Sequence, residues 1–139
     1  MNLNKLKTVA SSILRDEGKE LIDASSRISS TVVKACGLII NHPGKIVICG
    51  MGKSGLIAQK IAATLCSIGN KAVFLHAAEA SHGDLGIYAP GDPTLLISKI
   101  VATDELVRLI PILTEFNSPF IGIIFNMKSS LLPHLYIFM

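Results

Sequence analysis

Long apolar runs and high charge are both missing from this chain, and their absence limits what it can be. Charged residues make up 17% of its 139 positions and hydrophobic residues 50%. No apolar run reaches the roughly 18 residues of a membrane span, so we expect no membrane partner. Residues 1–15 lack the apolar core and cleavage site of a secretory signal. We therefore expect one cytoplasmic domain, apolar enough for a parallel sheet buried on both faces.

Paired cysteines and basic-aromatic clusters are also missing. Cys36, Cys49 and Cys66 show no CxxC spacing and lie in apolar stretches, so we interpret them as reduced packing residues. The net charge of +3 is small and scattered along the chain. With no aromatic residues interleaved among basic ones, the sequence gives no support for a nucleic-acid partner.

The most informative stretch is a β-branched run followed by three glycines. Residues 45–49 predict a buried strand and residues 56–68 a helix, and the turn between them contains Gly50, Gly52 and Gly55. A strand that feeds a helix through such a turn points backbone N–H groups at one spot. The positive end of the helix dipole lies there too, which makes the turn a ready anion site.

Two nucleotide-binding motifs can be tested against this turn. The spacing Gly-x-Gly-x-x-Gly matches the dinucleotide fingerprint, but that motif also needs an acidic residue at the end of the second strand. The predicted second strand, residues 71–75, is followed instead by His76. A P-loop would need glycine at position 47, which is Val47. The sequence therefore favours a phosphate-bearing ligand that is not a nucleotide, and no cofactor is expected.

The rest of the chain alternates helices with strands. Apolar residues recur at three- and four-residue steps over residues 3–40, which predicts helix in two pieces with a break near Gly18. The other expected elements are strands at 94–98 and 119–125, a helix at 104–116, a helix beginning at 126, and a short fifth strand at 135–139. This order predicts an α/β fold: a three-layer αβα sandwich with a four- to five-stranded parallel sheet of flavodoxin-like type.

The helical segment divides the chain into an N-terminal arm, residues 1–41, and a domain, residues 42–139. Two arrangements stay open for the arm. It can pack on a neighbouring subunit, or it can cover one face of its own sheet. The apolar composition favours some surface being covered by another subunit, so we expect a homo-oligomer.

Candidate binding residues follow the first and third predicted strands. Lys53 would neutralise a phosphate or polarise a sugar oxygen; the alternative is a solvated lysine. Ser54 would donate to the same anion or cap the helix. Ser98 and Thr103 flank the turn after the third strand, where hydroxyls can hold a phosphate together with the first loop. Thr103 can equally be a plain N-cap.

A second loop, residues 76–86, carries two histidines and two acids. His82 would act as a general acid or base, because an imidazole ring can both accept and donate a proton near neutral pH; alternatively it only holds the loop together. Glu79 and Asp84 are candidates to orient it. His76 is interpreted as structural, and because its spacing to Glu79 and His82 matches no common ligand set, no metal is expected.

These motifs resemble a known family. Residues 48–55 (Ile-Cys-Gly-Met-Gly-Lys-Ser-Gly), 63–65 (Ala-Thr-Leu) and 78–86 (Ala-Glu-Ala-Ser-His-Gly-Asp-Leu-Gly) are similar to the sugar isomerase (SIS) domain of arabinose 5-phosphate isomerases. The resemblance implies the SIS fold and interconversion of D-ribulose 5-phosphate and D-arabinose 5-phosphate, a phosphorylated pentose that leads to the Kdo sugar of lipopolysaccharide. It also implies a tetramer, and two CBS domains after the SIS domain.

The resemblance assigns Lys53 and His82 to the active site and makes Ser54, Ser98 and Thr103 the hydroxyls that hold the phosphate. This sequence departs from the family pattern at two places. Where the family has Ser-x-Ser-Gly-Glu, residues 98–102 read Ser-Lys-Ile-Val-Ala, so a carboxylate is replaced. Phe125 stands where a small residue is usual.

The chain also stops before the family's later segment, with its further histidine, so the resemblance implies a C-terminally incomplete SIS domain. Three functions stay open. The chain is an isomerase with little or no activity in this truncated form, a phosphosugar-binding module without catalysis, or a structural remnant that assembles with a full-length partner.

Overall fold

The computed structural model describes residues 2–80, 82–99, 104–126 and 128–139. Its strands form a single parallel sheet in the order β2-β1-β3-β4-β5. The strands are β1 (Ile46–Gly50), β2 (Ala72–His76), β3 (Thr94–Ser98), β4 (Phe120–Ile124) and β5 (Ile137–Phe138). The helices are α1 (Leu3–Asn41), α2 (Gly52–Ser67), α3 (Ala77–Ala80) and α4 (Asp104–Glu115), with 3₁₀ turns at Asp84–Ile87 and Leu132–His134.

Alternate residues of the strands pack into two separate cores, one on each face of the sheet. Val47 and Cys49 of β1 lie in the core covered by α3 and α4. Ile46 and Ile48 lie in the other core, against the small residues of α2 and the last turns of α1. The three-layer αβα sandwich predicted from the alternation of elements is therefore confirmed, and the fifth strand is present.

The N-terminal helix is continuous over 39 residues, so the predicted break near Gly18 is wrong. The side chain of Asn2 caps it, accepting from the backbone N–H groups of Asn4 and Lys5 at 3.1 and 3.2 Å. A single glycine costs a helix only about 1 kcal/mol, which the long helix tolerates. It ends at Asn41 because the residue before Pro43 is disfavoured in helical geometry.

Most of α1 does not cover its own sheet. Ala35 is its buried residue, and Leu38 and Ile39 are partly buried against the core. The earlier apolar side chains of the stripe are exposed, among them Leu6, Val9, Ile13, Ile28 and Val32. The interpretation that the arm covers its own sheet therefore holds only for its last turns. Among the described helices, none is both long and apolar enough to cross a membrane.

Two other predictions need correction. The segment after β4 was expected to be helical, but it contains turns and the short 3₁₀ turn. Side chains compete there for backbone donors: Asn126 accepts from Lys128 N at 2.9 Å and Ser129 accepts from Leu131 N at 3.3 Å. The packing interpretation of the cysteines is correct for buried Cys49 but not for the others, which are exposed. Desolvation raises the pKa of the Cys49 thiol to about 12.

Candidate functional site

A cavity of about 750 Å³ lies at the carboxyl ends of β1 and β3. The connection after β1 leads to β2 on one side of β1, and the connection after β3 leads to β4 on the opposite side. The loops after β1 and β3 therefore diverge at the carboxyl ends of these strands. Ligands of open α/β sheets bind in such a crevice. The lining residues are Met51, Gly52, Lys53, Ser54 and Ile57 after β1, Ile97, Ser98 and Lys99 around the end of β3, Leu106 of α4, and Phe125 after β4.

The first turn of α2 faces this cavity with backbone donors available. The helix begins at Gly52, whose φ of +56° favours glycine, four residues earlier than the sequence predicts. Met51 occupies the N-cap and gives no side-chain hydrogen bond to the first turn. The early N–H groups and the positive end of the helix dipole are thus left for another acceptor. Ser54 lies inside this turn, so the capping interpretation of Ser54 is wrong.

The other two glycines of the motif serve packing between β1 and α2. A Cβ on Gly50 would lie 2.9 Å from the carbonyl oxygen of Ser54, and one on Gly55 would lie 3.2 Å from the carbonyl oxygen of Gly50. Both glycines are buried, and neither lines the cavity. These two glycines allow α2 to pack closely against β1, and this packing determines where the first turn of α2 points. A direct contact of Gly50 or Gly55 with a ligand stays a prediction.

Replacing Gly50 with alanine is expected to lower the free energy of unfolding by roughly 1 to 3 kcal/mol, because backbone atoms must shift to admit the new methyl group. The matched control is Gly18→Ala in α1, where the added Cβ meets no atom within 4 Å. That change should stabilise by about 0.5 to 1 kcal/mol. Urea unfolding of both variants checks the opposite signs; two changes of the same sign would contradict the packing role.

The end of β3 is fixed and contributes a hydroxyl. Ser98 is buried and lines the cavity, and its carbonyl oxygen accepts from Phe125 N at 3.1 Å. The structure thus brings Ser98 together with Lys53 and Ser54 as the sequence predicts. The predicted phosphate ligand Thr103, like residues 100–102, lies outside the described residues.

The structure does not bring His82 into the lining of this cavity, and Glu79 and Asp84 do not line it either. The segment is nevertheless close by, since α3 packs against α4, whose Leu106 lines the cavity. The backbone N–H of His82 donates to the Glu79 carbonyl at 2.8 Å. Among the described residues, neither Glu79 nor Asp84 forms an ion pair with the His82 side chain. The orienting roles of the two acids stay predictions.

His76 ends β2 directly beside Gly50 of β1. Its ring meets Phe74 edge-on with centroids 6.3 Å apart, and its buried Nδ1 has no hydrogen-bond partner in the described part of the chain. Within those same residues, no three histidine, cysteine, aspartate or glutamate side chains are grouped to hold a metal ion.

Comparison with known proteins identifies the family. The family model described as the SIS domain matches residues 39–135, which is more than half of the chain. The chain belongs to the SIS domain family. The resemblance carried by the glycine turn and by residues 78–86 is thereby confirmed at the level of the domain.

Curated relatives of this SIS domain include two named isomerases. It is 41% identical over 119 residues to arabinose 5-phosphate isomerase KpsF of Escherichia coli, covering 85% of this chain and 38% of the relative. It is 42% identical over 106 residues to arabinose 5-phosphate isomerase KdsD of Pseudomonas aeruginosa, covering 76% of this chain and 32% of the relative. The chain thus spans well under half the length of these relatives.

Solved structures support the same fold for the SIS domain. An Escherichia coli CFT073 protein in complex with arabinose 5-phosphate superposes with a TM-score of 0.83 at 33% identity, covering 99% of this chain and 73% of that one. A putative phosphosugar isomerase involved in capsule formation from Bacteroides fragilis gives a TM-score of 0.74 at 36% identity, covering 91% and 72%.

Sequence reasoning missed two contributors to the cavity of this SIS domain. Phe125 was noted only as a departure from the family, yet it forms a wall of the cavity and is 70% exposed. Lys99 was noted only within the altered segment, yet it lines the cavity with Lys53. Their positions immediately after β4 and β3 were the available signal, since ligand contacts in such sheets come from the carboxyl ends of strands.

Proposed function

We propose that this chain binds a phosphorylated pentose and belongs to an isomerase that interconverts D-ribulose 5-phosphate and D-arabinose 5-phosphate. The observation that carries the proposal is the cavity where the first turn of α2, Lys53, Ser54 and Ser98 meet. Uncapped backbone N–H groups, an ammonium and two hydroxyls are the donors that a phosphate takes. The names of the relatives support arabinose 5-phosphate as the substrate and, through KdsD, supply of the Kdo sugar.

Interconversion of these sugars moves one proton between C2 and C1 through an enediol. A base removes the proton on C2 of the aldose, the same or another group returns a proton to C1, and a second group moves a proton between the two sugar oxygens. Lys53 is proposed to polarise or protonate a sugar oxygen, and His82 to act as acid or base. Two observations support His82: its segment follows the carboxyl end of β2, and α3 packs against α4, whose Leu106 lines the cavity.

A second candidate is a phosphosugar-binding module without turnover. One observation favours it: the described lining of the cavity contains lysines, hydroxyls and apolar groups, but neither a carboxylate nor an imidazole. Such a set can hold a phosphate without supplying the base that enediol formation requires.

One experiment separates the two candidates. The full chain is incubated with D-arabinose 5-phosphate in D₂O and followed by ¹H NMR, with thermal unfolding measured in parallel. The isomerase predicts ribulose 5-phosphate signals and loss of the C2 proton signal to deuterium. The binding module predicts a raised Tm without either change. If neither turnover nor a raised Tm is observed, both candidates are contradicted and the structural remnant is the interpretation that stands.

We further propose that the boundary between arm and domain falls at residues 41 and 42, that the protein is cytoplasmic, and that α1 forms a homo-oligomer interface. The helix ends at Asn41, which supports the boundary, and three unpaired cysteines support a reducing compartment.

The exposed apolar stripe of α1 supports the homo-oligomer interface. Sedimentation should show an oligomer that dissociates in Ile13→Asp and is retained in Arg15→Asp, which changes charge beside the stripe; a wild-type monomer would contradict the proposal.

A further inference from the structure

Two lysines reach the cavity from neighbouring loops. In the parallel pair of β1 and β3, Gly50 is aligned with Ile97. Lys53 follows Gly50 by three residues, and Lys99 follows Ile97 by two. Because the strands are adjacent and point the same way, both lysines emerge at the same edge of the sheet. Both line the cavity, one from each side of the crevice.

The base of Lys99 is held in place. Ser98 is paired with Ile124 at the last register position of β3 and β4, and its carbonyl accepts the hydrogen bond from Phe125 N at 3.1 Å. Ser98 itself is buried. Lys99 therefore starts from a fixed backbone at the rim of the cavity, while its exposed side chain is free to reach a ligand.

The described surroundings of Lys99 do not neutralise its positive charge. No described residue forms an ion pair with it, and the described lining holds no carboxylate. Beside the two lysines, the lining of the cavity includes the apolar residues Ile97, Leu106 and Phe125, which offer no competing acceptor for either ammonium group. Together with Lys53 and the positive end of α2, the cavity carries more than one unit of positive charge.

A phosphate monoester carries about 1.5 to 2 negative charges at pH 7, more than Lys53 alone can balance. We propose that Lys99 is the second countercharge of the site, so that Lys53 and Lys99 together hold a dianionic phosphate monoester in preference to a monoanionic ester. The inference rests on the proposed phosphate site and adds a binding residue that determines which charge class of ligand it accepts.

The test compares Lys99→Gln with the wild type and with Lys60→Gln, an exposed lysine of α2 outside the cavity lining. Both variants lose one positive charge, so a long-range effect of net charge is matched. Isothermal titration at low ionic strength and about pH 8 uses three probes: D-arabinose 5-phosphate and inorganic phosphate, both mainly dianions at that pH, and dimethyl phosphate, a monoanion. Thermal unfolding of each variant reports whether its fold is intact.

Lys99→Gln is expected to weaken the two dianionic probes about tenfold and dimethyl phosphate about threefold or less, and to flatten the dependence of the dianion Kd on salt. Lys60→Gln should match the wild type. Equal behaviour of the two variants, or equal loss for monoanion and dianion, would overturn the inference. Binding of inorganic phosphate without binding of the sugar phosphate would refute the proposed function but leave the role of Lys99 standing; binding of none refutes both.

Discussion

Asp92→Asn is expected to lower the free energy of unfolding by about 3 kcal/mol, the cost of breaking one side of a buried ion pair. The carboxylate lies before β3, at the edge of the sheet opposite the cavity, and is only 1% exposed. It accepts from Lys45 Nζ at 2.6 Å, Ala89 N at 2.8 Å and Lys45 N at 3.2 Å, and pairs with His42 Nε2 at 2.9 Å. An asparagine would turn an amide donor toward one of these donors and leave the lysine unpaired.

The control for this change is Asp23→Asn, on the exposed surface of α1, where little effect is expected. Urea unfolding with an unchanged m-value checks both variants. A loss of less than about 1 kcal/mol for Asp92→Asn would mean that these contacts do not join the end of α1 and β1 to the start of β3.

The same carboxylate predicts a loss of stability in acid. Desolvation alone would raise the pKa of Asp92, but the hydrogen bonds from Lys45, Ala89 and His42 outweigh it and lower that pKa to about 2. The charged form is therefore favoured by folding. The contribution, about 2 kcal/mol, is present above the unfolded pKa of about 4 and is lost as pH falls toward 2. The difference between wild type and Asp92→Asn should shrink over that window.

Lys53→Gln is expected to weaken binding of D-arabinose 5-phosphate by roughly 10- to 100-fold, the value of a charge-assisted hydrogen bond in a partly enclosed site. Lys53 lines the cavity within the first turn of α2, where the helix dipole favours an anion. The uncharged amide keeps the length of the chain but not the ammonium. The variant should unfold at the wild-type temperature, since Lys53 is exposed and makes no ion pair with a described residue.

Lys60→Gln again supplies the matched control, because it removes the same charge from the same helix outside the cavity. If Lys53→Gln and Lys60→Gln bind the sugar phosphate equally, the ligand does not sit at the start of α2. Isothermal titration at fixed ionic strength measures both.

The local sequence pattern was enough to predict the layers and most strands, because β-branched runs and turn residues determine the backbone conformation of the residues next to them. It failed where a distant contact decides the structure. Gly50 and Gly55 allow α2 to start early by packing against β1, which sequence spacing does not reveal. The role of Asp92 is not visible in the local sequence, because its charged partners His42 and Lys45 lie about 50 positions earlier in the chain.

The candidate site was predicted in part for the same reason. Lys53 and Ser54 follow from one continuous motif, and Ser98 follows from the end of a predicted strand. Phe125 and Lys99 reach the cavity only because β3 and β4 lie beside each other in the sheet. The position of His82 depends on how α3 packs against α4, a contact between helices that no periodicity in the sequence reports.

A crystal structure of the full chain soaked with D-arabinose 5-phosphate tests the central claim most directly. The account predicts the phosphate at the start of α2, within hydrogen-bond distance of Gly52 or Lys53 N–H and of the Ser54 hydroxyl, with the ammonium groups of Lys53 and Lys99 on either side. A sugar phosphate bound elsewhere, such as the groove between the end of α1 and β5, with the start of α2 empty, would contradict it.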